Sequence, residues 1–265
     1  MGLSPLRQRL INTEYIPYMR RFFIDPDKIT ATNATITGDE AHHISDVLRL
    51  KPGITIELFD GTGKVYQARI EHIAKKQVET VILADREETA DNGCLSLGVA
   101  MLTGKKMDLV VQKATELGVA AIHPYVSQHS SVKERNPNKE QRWQRIALEA
   151  CKQCNRPTVP ECKQVSDFSA LLEEGKDAAV KIIFWEQEQS STLGELFPAE
   201  SHPPTTVMAL FGPEGGFSRE EINQAIDQGF TPVSLGNRIL RAETAVISGS
   251  AILQFLLGNL TPGKQ

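Results

Sequence analysis

Two short stretches carry residues whose types and spacing suit ligand chemistry. The first is Leu210-Phe211-Gly212-Pro213-Glu214-Gly215-Gly216-Phe217-Ser218, with three glycines in five residues. Such a run lets the backbone turn tightly and approach a ligand closely. Ser218 and Glu221 have the spacing of a capping box, so a helix should start there. The segment ends in no Gly-Lys-Ser/Thr and contains no G-x-G-x-x-G, which argues against a nucleotide-phosphate cradle. Glu214 would also set a carboxylate where a pyrophosphate should lie. It suits a ribose hydroxyl, an N–H donor or a cationic ligand better. A plain strand-to-helix turn explains the glycines equally well.

The second stretch, Ser234 to Ala245, again runs from strand through a glycine loop to a helix, and gathers Arg238, Arg241 and Glu243. Glu243 can complement the helix N-terminal dipole. The two arginines are unfavourable at that end unless something anionic offsets them, and RNA phosphate is a natural candidate. A third element, Glu149 to Pro157, holds Gln153 and Arg156 three apart. They would share one helix face if the helix reaches Pro157, though a solvated polar pair is the ordinary reading. Cys151 and Cys154 form a C-x-x-C pair, but only Cys162 lies near, and a structural zinc site needs a second ligand pair. No metal is expected.

The elements that must position these loops follow a change of rhythm along the chain. From Met19 to about Leu83 the text is short strands and turns. The Met19–Ile24 stretch reads as a strand, Asp39–Leu50 as a helix, and Ile54–Phe59 alternates as a half-buried strand. Asp60-Gly61-Thr62-Gly63 is a hairpin signal, returning through Val65–Ile70. Asp85–Gly93 reads as a polar linker. Beyond it, strands alternate with helices. Strands are expected at 95–102, 119–126, 180–185, 207–211 and 232–235, and helices at 108–117, 140–155, 218–228 and 244–257. This alternation predicts a parallel sheet covered by helices on both faces. In such sheets ligands bind beyond the carboxyl ends of strands, where both glycine loops fall.

Composition sets the outer bounds. The 265 residues are 40% hydrophobic and 23% charged, as in an ordinary globular protein. No apolar run approaches the ~20 residues needed to span a bilayer. Arg7, Arg9, Asn12 and Glu14 interrupt any signal-peptide core, so a cytoplasmic location is expected. The formal charge of −4 neither supports nor excludes a polyanionic partner, since basic residues cluster locally at Arg20-Arg21, Lys75-Lys76, Lys105-Lys106 and Arg142/Arg145.

Taken together, these segments resemble the RsmE-type 16S rRNA (uracil-N3)-methyltransferases of the SPOUT class. The resemblance rests on Gly-Pro-Glu-Gly-Gly-Phe-Ser-x-x-Glu at 212–221 and Leu-Gly-x-Arg-Ile-Leu-Arg-x-Glu-Thr-Ala at 235–245. It is supported by Lys-Ala-Thr-Glu-Leu-Gly-Val at 113–119, by Gln153 with Arg156, and by Arg-Phe-Phe with His42 and Val-Leu-Arg-Leu at 47–50. The resemblance covers residues 19 to about 258. Its departures are Cys154 where the family commonly has serine, and Ser127-Gln128-His129-Ser130-Ser131 where a basic-serine motif is usual.

The resemblance implies an α/β fold: a trefoil-knotted SPOUT domain at 94–260, preceded by a PUA-like β-barrel at 19–88, with 1–18 as an N-terminal extension. It implies S-adenosylmethionine as cofactor, a homodimer, and action on 16S rRNA in assembled small ribosomal subunits. Cofactor contacts would come from Leu210, Phe211, Gly212, Glu214, Gly215, Gly216, Leu235, Gly236, Ile239, Leu240 and Arg241. RNA contacts would come from Arg20, Arg21, Arg49, Lys105, Lys106, Gln153, Arg156 and Arg238. Arg156, Arg241 and Glu243 are the candidate catalytic residues. Competing readings are a SPOUT methyltransferase acting on transfer RNA or large-subunit rRNA, a non-catalytic RNA-binding protein, and a nucleotide-dependent oxidoreductase. The last lacks the dinucleotide fingerprint.

Overall fold

The computed structural model describes residues 19–87, 94–132, 136–198 and 202–261. The leader at 1–18 and most of the expected linker, 88–93, lie outside these. The chain divides into two compact units, one up to Glu88 and one from Thr89 onward.

The N-terminal unit is a five-stranded sheet. Its strands are β1 (Arg21–Phe23), β2 (Asn33–Thr37), β3 (Thr55–Phe59), β4 (Lys64–Ala74) and β5 (Gln77–Glu87), in the order β1-β3-β4-β5-β2. Only the β1–β3 pair is parallel. Alternation along β3 puts Ile56 and Leu58 into a core with Phe22, Ile36, Ile44 and Ile70. The β3–β4 hairpin forms where the Asp-Gly signal lies; Asp60 accepts from the backbone N–H and hydroxyl of Thr62, and Gly61 takes the positive φ the turn needs.

Three expectations for this unit change. Residues 39–50 do not form one regular helix: α1 (Gly38–His42) passes into a π-turn at His43–Val47, and Arg49 adopts φ 51°. The returning strand is longer than 65–70, because its partner β5 pairs with it as far as Lys64–Glu87. Asp85 to Glu87 are therefore strand and not linker. Their polarity reflects an exposed strand end, which composition cannot separate from a loop.

The C-terminal unit holds β6 (Cys94–Ala100), α2 (Lys106–Glu116), β7 (Ala121–Val126), α3 (Pro137–Cys154), β8 (Glu161–Cys162), β9 (Ser166–Asp167) and α4 (Phe168–Glu174). It continues with β10 (Val180–Phe184), α5 (Leu193–Leu196), β11 (Thr206–Phe211), α6 (Arg219–Asp227), β12 (Thr231–Val233) and α7 (Ala242–Leu256). The sheet runs β12-β10-β11-β6-β7-β8, with β9 also on β7, and every described pairing is parallel. Strand periodicity sorts the core into two layers. Val207, Ala209 and Phe211 of β11 face a cluster with α2, α3 and α7, while Met208 and Leu210 face one with α4 and α6. Parallel sheets covered on both faces read as near-continuous apolar runs, as β11 does.

Local signals fix the helix ends. Asn136 caps α3 by accepting from Asn138 N–H, with proline in the first turn. That cap starts the helix before the expected residue 140. The helix stops at Cys154 because Asn155 takes a left-handed conformation, φ 61°. Elements β8, β9, α4 and α5 carry no sequence signal that we read; the strands are two residues long and the helices seven and four.

Helix α7 lies close to the sheet through Gly249. A Cβ there would sit 2.8 Å from the Phe211 ring, which stacks on Phe184 at a centroid distance of 4.7 Å. Burying a phenylalanine such as Phe211 contributes about 1.5–3 kcal/mol. The glycine is what lets α7 approach and carry its N-terminus to the strand ends.

Candidate active site

At the carboxyl ends of β10, β11 and β12, three loops enclose a cavity of about 490 Å³, within the usual size for small-molecule sites. The β11 loop supplies Phe211, Gly212, Glu214, Gly215 and Gly216, and the β12 loop supplies Leu235, Gly236, Arg238, Ile239, Leu240 and Arg241. Lys106, from the start of α2, joins them. The structure thus brings together two segments that are about twenty residues apart in sequence, together with a lysine more than a hundred residues earlier.

The glycine loop is held from two sides. Gly216 has φ +70°, which suits glycine. A Cβ on Gly212 would lie 3.0 Å from the Phe217 ring, and one on Gly215 would lie 3.0 Å from His129 Cβ. The predicted capping box is present: Ser218 Oγ accepts from Glu221 N–H, and Glu221 Oε2 accepts from Ser218 N–H. The other Glu221 oxygen accepts from Gln128 N–H at 2.9 Å, tying the loop after β7 to this turn. Tyr125 donates its buried hydroxyl to Phe211 O at 3.0 Å, and burial pushes that phenol well above its ordinary pKa. The Ser127–Ser131 stretch therefore props the glycine loop.

Glu214 is committed to the protein. It accepts from Thr103 N–H (3.1 Å), Thr103 Oγ1 (2.7 Å) and Lys106 Nζ (2.8 Å). Burial disfavours its ionised form, but the Lys106 and Thr103 hydrogen bonds prevail and hold the carboxyl at about 2. The same Glu214 bond raises the Lys106 pKa. Glu214 is therefore a fixed anion, which makes it a poor proton acceptor near neutral pH.

Glu243, in the first turn of α7, differs. Its Oε2 lies 3.8 Å from Lys106 Nζ, is buried, and has no hydrogen-bond partner among the described residues. A buried, incompletely satisfied carboxylate beside a cavity is where a donor on a ligand would be favoured. Arg241 is the N-cap of α7, exposed on the cavity wall, and its side chain makes no capping bond.

Several candidate residues lie elsewhere. Leu210 is fully buried on the opposite face of the sheet and shapes the strand without lining the cavity. Lys106 is held between two carboxylates, whereas its neighbour Lys105 is exposed. Gln153 is exposed, but Arg156 does not share its helix face, because α3 ends at Cys154. The Arg156 guanidinium instead donates to Thr115 O and Val119 O, at 3.3 and 2.6 Å, closing the end of α2. In the N-terminal unit Arg20 and Arg49 are exposed. Arg21 turns inward, 3.4 Å from Glu57 and stacked over Phe59. The cavity is also lined by residues not expected from the sequence, Phe184, Trp185, Glu186, Pro213, Phe217 and Ser234 from the strand ends and loops and Ala242 and Ala245 from α7. Trp185-Glu186, directly after a predicted strand, was the available signal.

No group of three or more His, Cys, Asp or Glu residues among those described is placed to hold a metal. Cys151 donates to Thr158 O, and burial pushes the Cys162 thiol up to about 12, so it is not a reactive thiolate. No described helix is long and apolar enough to cross a membrane.

Residues 90–254 match the RNA methyltransferase domain family, and residues 36–83 match the RNA methyltransferase PUA domain. Ribosomal RNA small subunit methyltransferase E of Buchnera aphidicola subsp. Schizaphis graminum is 31% identical over 245 residues, 91% of this chain and 96% of that protein. Its namesake in Bacillus subtilis is 32% identical over 252 residues, 89% and 96% of the two chains. The crystal structure of ribosomal RNA small subunit methyltransferase E from Neisseria gonorrhoeae bound to S-adenosyl methionine superposes with TM-score 0.80. It is 32% identical and covers 90% of this chain and 98% of that one. A methyltransferase structure from Legionella pneumophila with bound cofactor SAM gives the same TM-score and identity over 89% and 97%. The chain is thus an RNA methyltransferase by fold and family, and it belongs among the ribosomal RNA small subunit methyltransferase E proteins.

Proposed function

We propose that this protein methylates N3 of a specific uridine in 16S rRNA, using S-adenosylmethionine, on assembled small subunits in the cytoplasm. The observation that carries the reading is the cavity at the ends of β10, β11 and β12, whose described lining lies within the residues that match the RNA methyltransferase domain family. The alternative target, another RNA such as tRNA or large-subunit rRNA, shares the cofactor site and differs only in the partner.

The cavity fits the cofactor. Its glycine floor admits no side chain at Gly212 without displacing Phe217, and its volume suits a nucleoside with an amino-acid arm. When bound, the sulfonium supplies an activated methyl group. The chain's own work is to bind, orient and handle a proton. Backbone groups of Gly212, Gly215, Gly216, Leu235, Gly236, Ile239 and Leu240 would hold the adenosine, with Phe211 also lining the cavity. Lys106 and Glu214 fix the loop. Uracil N3 is an imide that is a poor nucleophile while protonated, and it lies on the pairing edge, so the base must leave any pair. Glu243, whose buried Oε2 has only a long ion pair to Lys106 and no hydrogen bond among the described residues, is the group we assign to accept the N3 proton. Arg241 stabilises charge developing on the uracil carbonyls.

The finer architecture belongs to the same reading. The 212–217 and 235–241 loops are the knot loops of a trefoil SPOUT domain at 94–260, and the N-terminal sheet at 19–88 is a PUA-like barrel engaging RNA through Arg20 and Arg49. A homodimer completes the site. Supporting it, Ile252 and Phe255 on α7 and Leu109 on α2 are exposed apolar residues, with Phe255 63% exposed. Lys105, Gln153 and Arg238 are exposed and remain open to RNA, whereas Arg156, bonded to the Thr115 and Val119 carbonyls, acts as a structural brace.

The test is methyl transfer from labelled S-adenosylmethionine to small subunits lacking native methylation, with the product nucleoside identified by mass spectrometry. Appearance of 3-methyluridine on assembled subunits, with little on naked RNA, is the expected result. Transfer only to tRNA or large-subunit RNA would overturn the substrate assignment.

A further inference from the structure

The cavity contains a carboxylate that none of the roles above employs. Glu186 lies two residues past the end of β10, and among the described residues it has no hydrogen bond or ion pair. Its oxygen is next to the glycine loop: a Cβ on Gly216 would stand 3.2 Å from Glu186 Oε1. Beside it, Trp185 Nε1 is buried without a hydrogen-bond partner among the described residues. This edge is nonetheless firmly placed. Trp185 N–H donates to Val233 O at 2.9 Å, extending the β10–β12 ladder, and Glu188 N–H donates to Trp185 O at 3.2 Å. The Glu188 carboxylate is used up locally, accepting from the N–H groups of Gln189, Ser190 and Ser191 and from Ser190 Oγ. Glu186 alone of the two presents free acceptors to the cavity.

Resting on the proposed cofactor, we propose that Glu186 binds the ribose of S-adenosylmethionine, its carboxylate accepting hydrogen bonds from the 2′- and 3′-hydroxyls. Sheet order supports this choice over the cationic groups of the ligand. Glu186 follows β10, on one side of the β11 loop; Lys106 follows β6, on the other. The β6 side gathers Lys106, Glu214 and Glu243, both signs of charge, and suits the zwitterionic amino-acid arm. The β10 side offers one unpaired carboxylate and no described ion-pair partner, which suits a neutral diol. A carboxylate beyond a strand end, bonded to ribose hydroxyls, is also a general solution in open α/β sheets.

Isothermal titration calorimetry on the full chain tests this without turnover. The ligands are S-adenosylmethionine, S-adenosylhomocysteine and 2′-deoxy-S-adenosylhomocysteine, and the proteins are wild type, Glu186→Ala and Glu186→Asp, each checked for an unchanged thermal melt. Glu186→Ala is expected to weaken both ribose ligands alike by about tenfold or more, as for charge-assisted hydrogen bonds. The deoxy ligand should bind wild type less well and lose less on substitution, and Glu186→Asp should recover part of the affinity. Loss confined to S-adenosylmethionine would mean that the carboxylate faces the sulfonium and would overturn the proposal. So would an equal loss for ribose and deoxyribose ligands, or none. If wild type binds none of the three, the cofactor reading itself fails, a result distinct from failure of the Glu186 assignment.

Discussion

Removing the Glu214 carboxylate should loosen the cofactor loop without unfolding the protein. Its three donors are one ammonium, one hydroxyl and one backbone N–H, at 2.7–3.1 Å, and the side chain remains 27% exposed. Hydrogen bonds to charged groups are worth roughly 1.5–3 kcal/mol each in favourable settings, and exposure with water replacement reduces the sum. We therefore expect Glu214→Ala to cost about 1–3 kcal/mol of loop docking, read as about 5- to 150-fold weaker S-adenosylmethionine binding by calorimetry. Thr103→Val removes one donor but keeps the backbone N–H, so it should cost about two- to tenfold. Acid should imitate the substitution. Glu214 has its pKa lowered from 4.5 to about 2 on folding, so its contribution is complete above 4.5 and is lost as pH falls towards 2. Its effect on ligand affinity should therefore be undiminished down to about pH 4.5 and fall away as pH approaches 2. If Glu214→Ala destroyed binding while Thr103→Val and Lys106→Met left it intact, Glu214 would be a direct ligand contact, and the loop-pinning argument would be refuted.

Arg241→Ala should cut turnover while leaving the dissociation constant for S-adenosylmethionine near wild type; a lost cofactor affinity instead would move Arg241 into the binding set. Gly249→Ala should overpack the α7 contact with Phe211, costing about 1–3 kcal/mol, or roughly 2–4 °C in Tm per kcal/mol, in a thermal melt. An unchanged melt would show that the helix can shift freely. Phe255→Glu, on an exposed face of α7, should yield a folded monomer by light scattering, and a persistent dimer would place the interface elsewhere.

Residues acting through short-range geometry were legible in the chain itself. Three glycines, a Ser-x-x-Glu spacing and a following apolar helix specify a tight turn and a capped start wherever they occur, because φ and capping bonds are local. Alternating strands and helices likewise imply a covered parallel sheet, since an apolar strand needs both faces buried. The family motifs added the ligand. What pairs with what was decided by tertiary structure. Glu214 finds its donors 108 and 111 residues away, across the gap between β11 and α2, and no local pattern encodes that distance. Arg20 and Arg21 are adjacent and alike in sequence, yet strand alternation and Glu57 turn the second one inward. Arg156 leaves the face of Gln153 because Asn155 reverses the backbone, and it spends its guanidinium on the carbonyls of α2. Glu186 was an unremarked acid until β10 settled between β12 and β11 and set it at the cavity edge. Local conformation follows from neighbours in sequence; charge pairing and cavity walls follow from neighbours in space, which only the assembled sheet brings within reach.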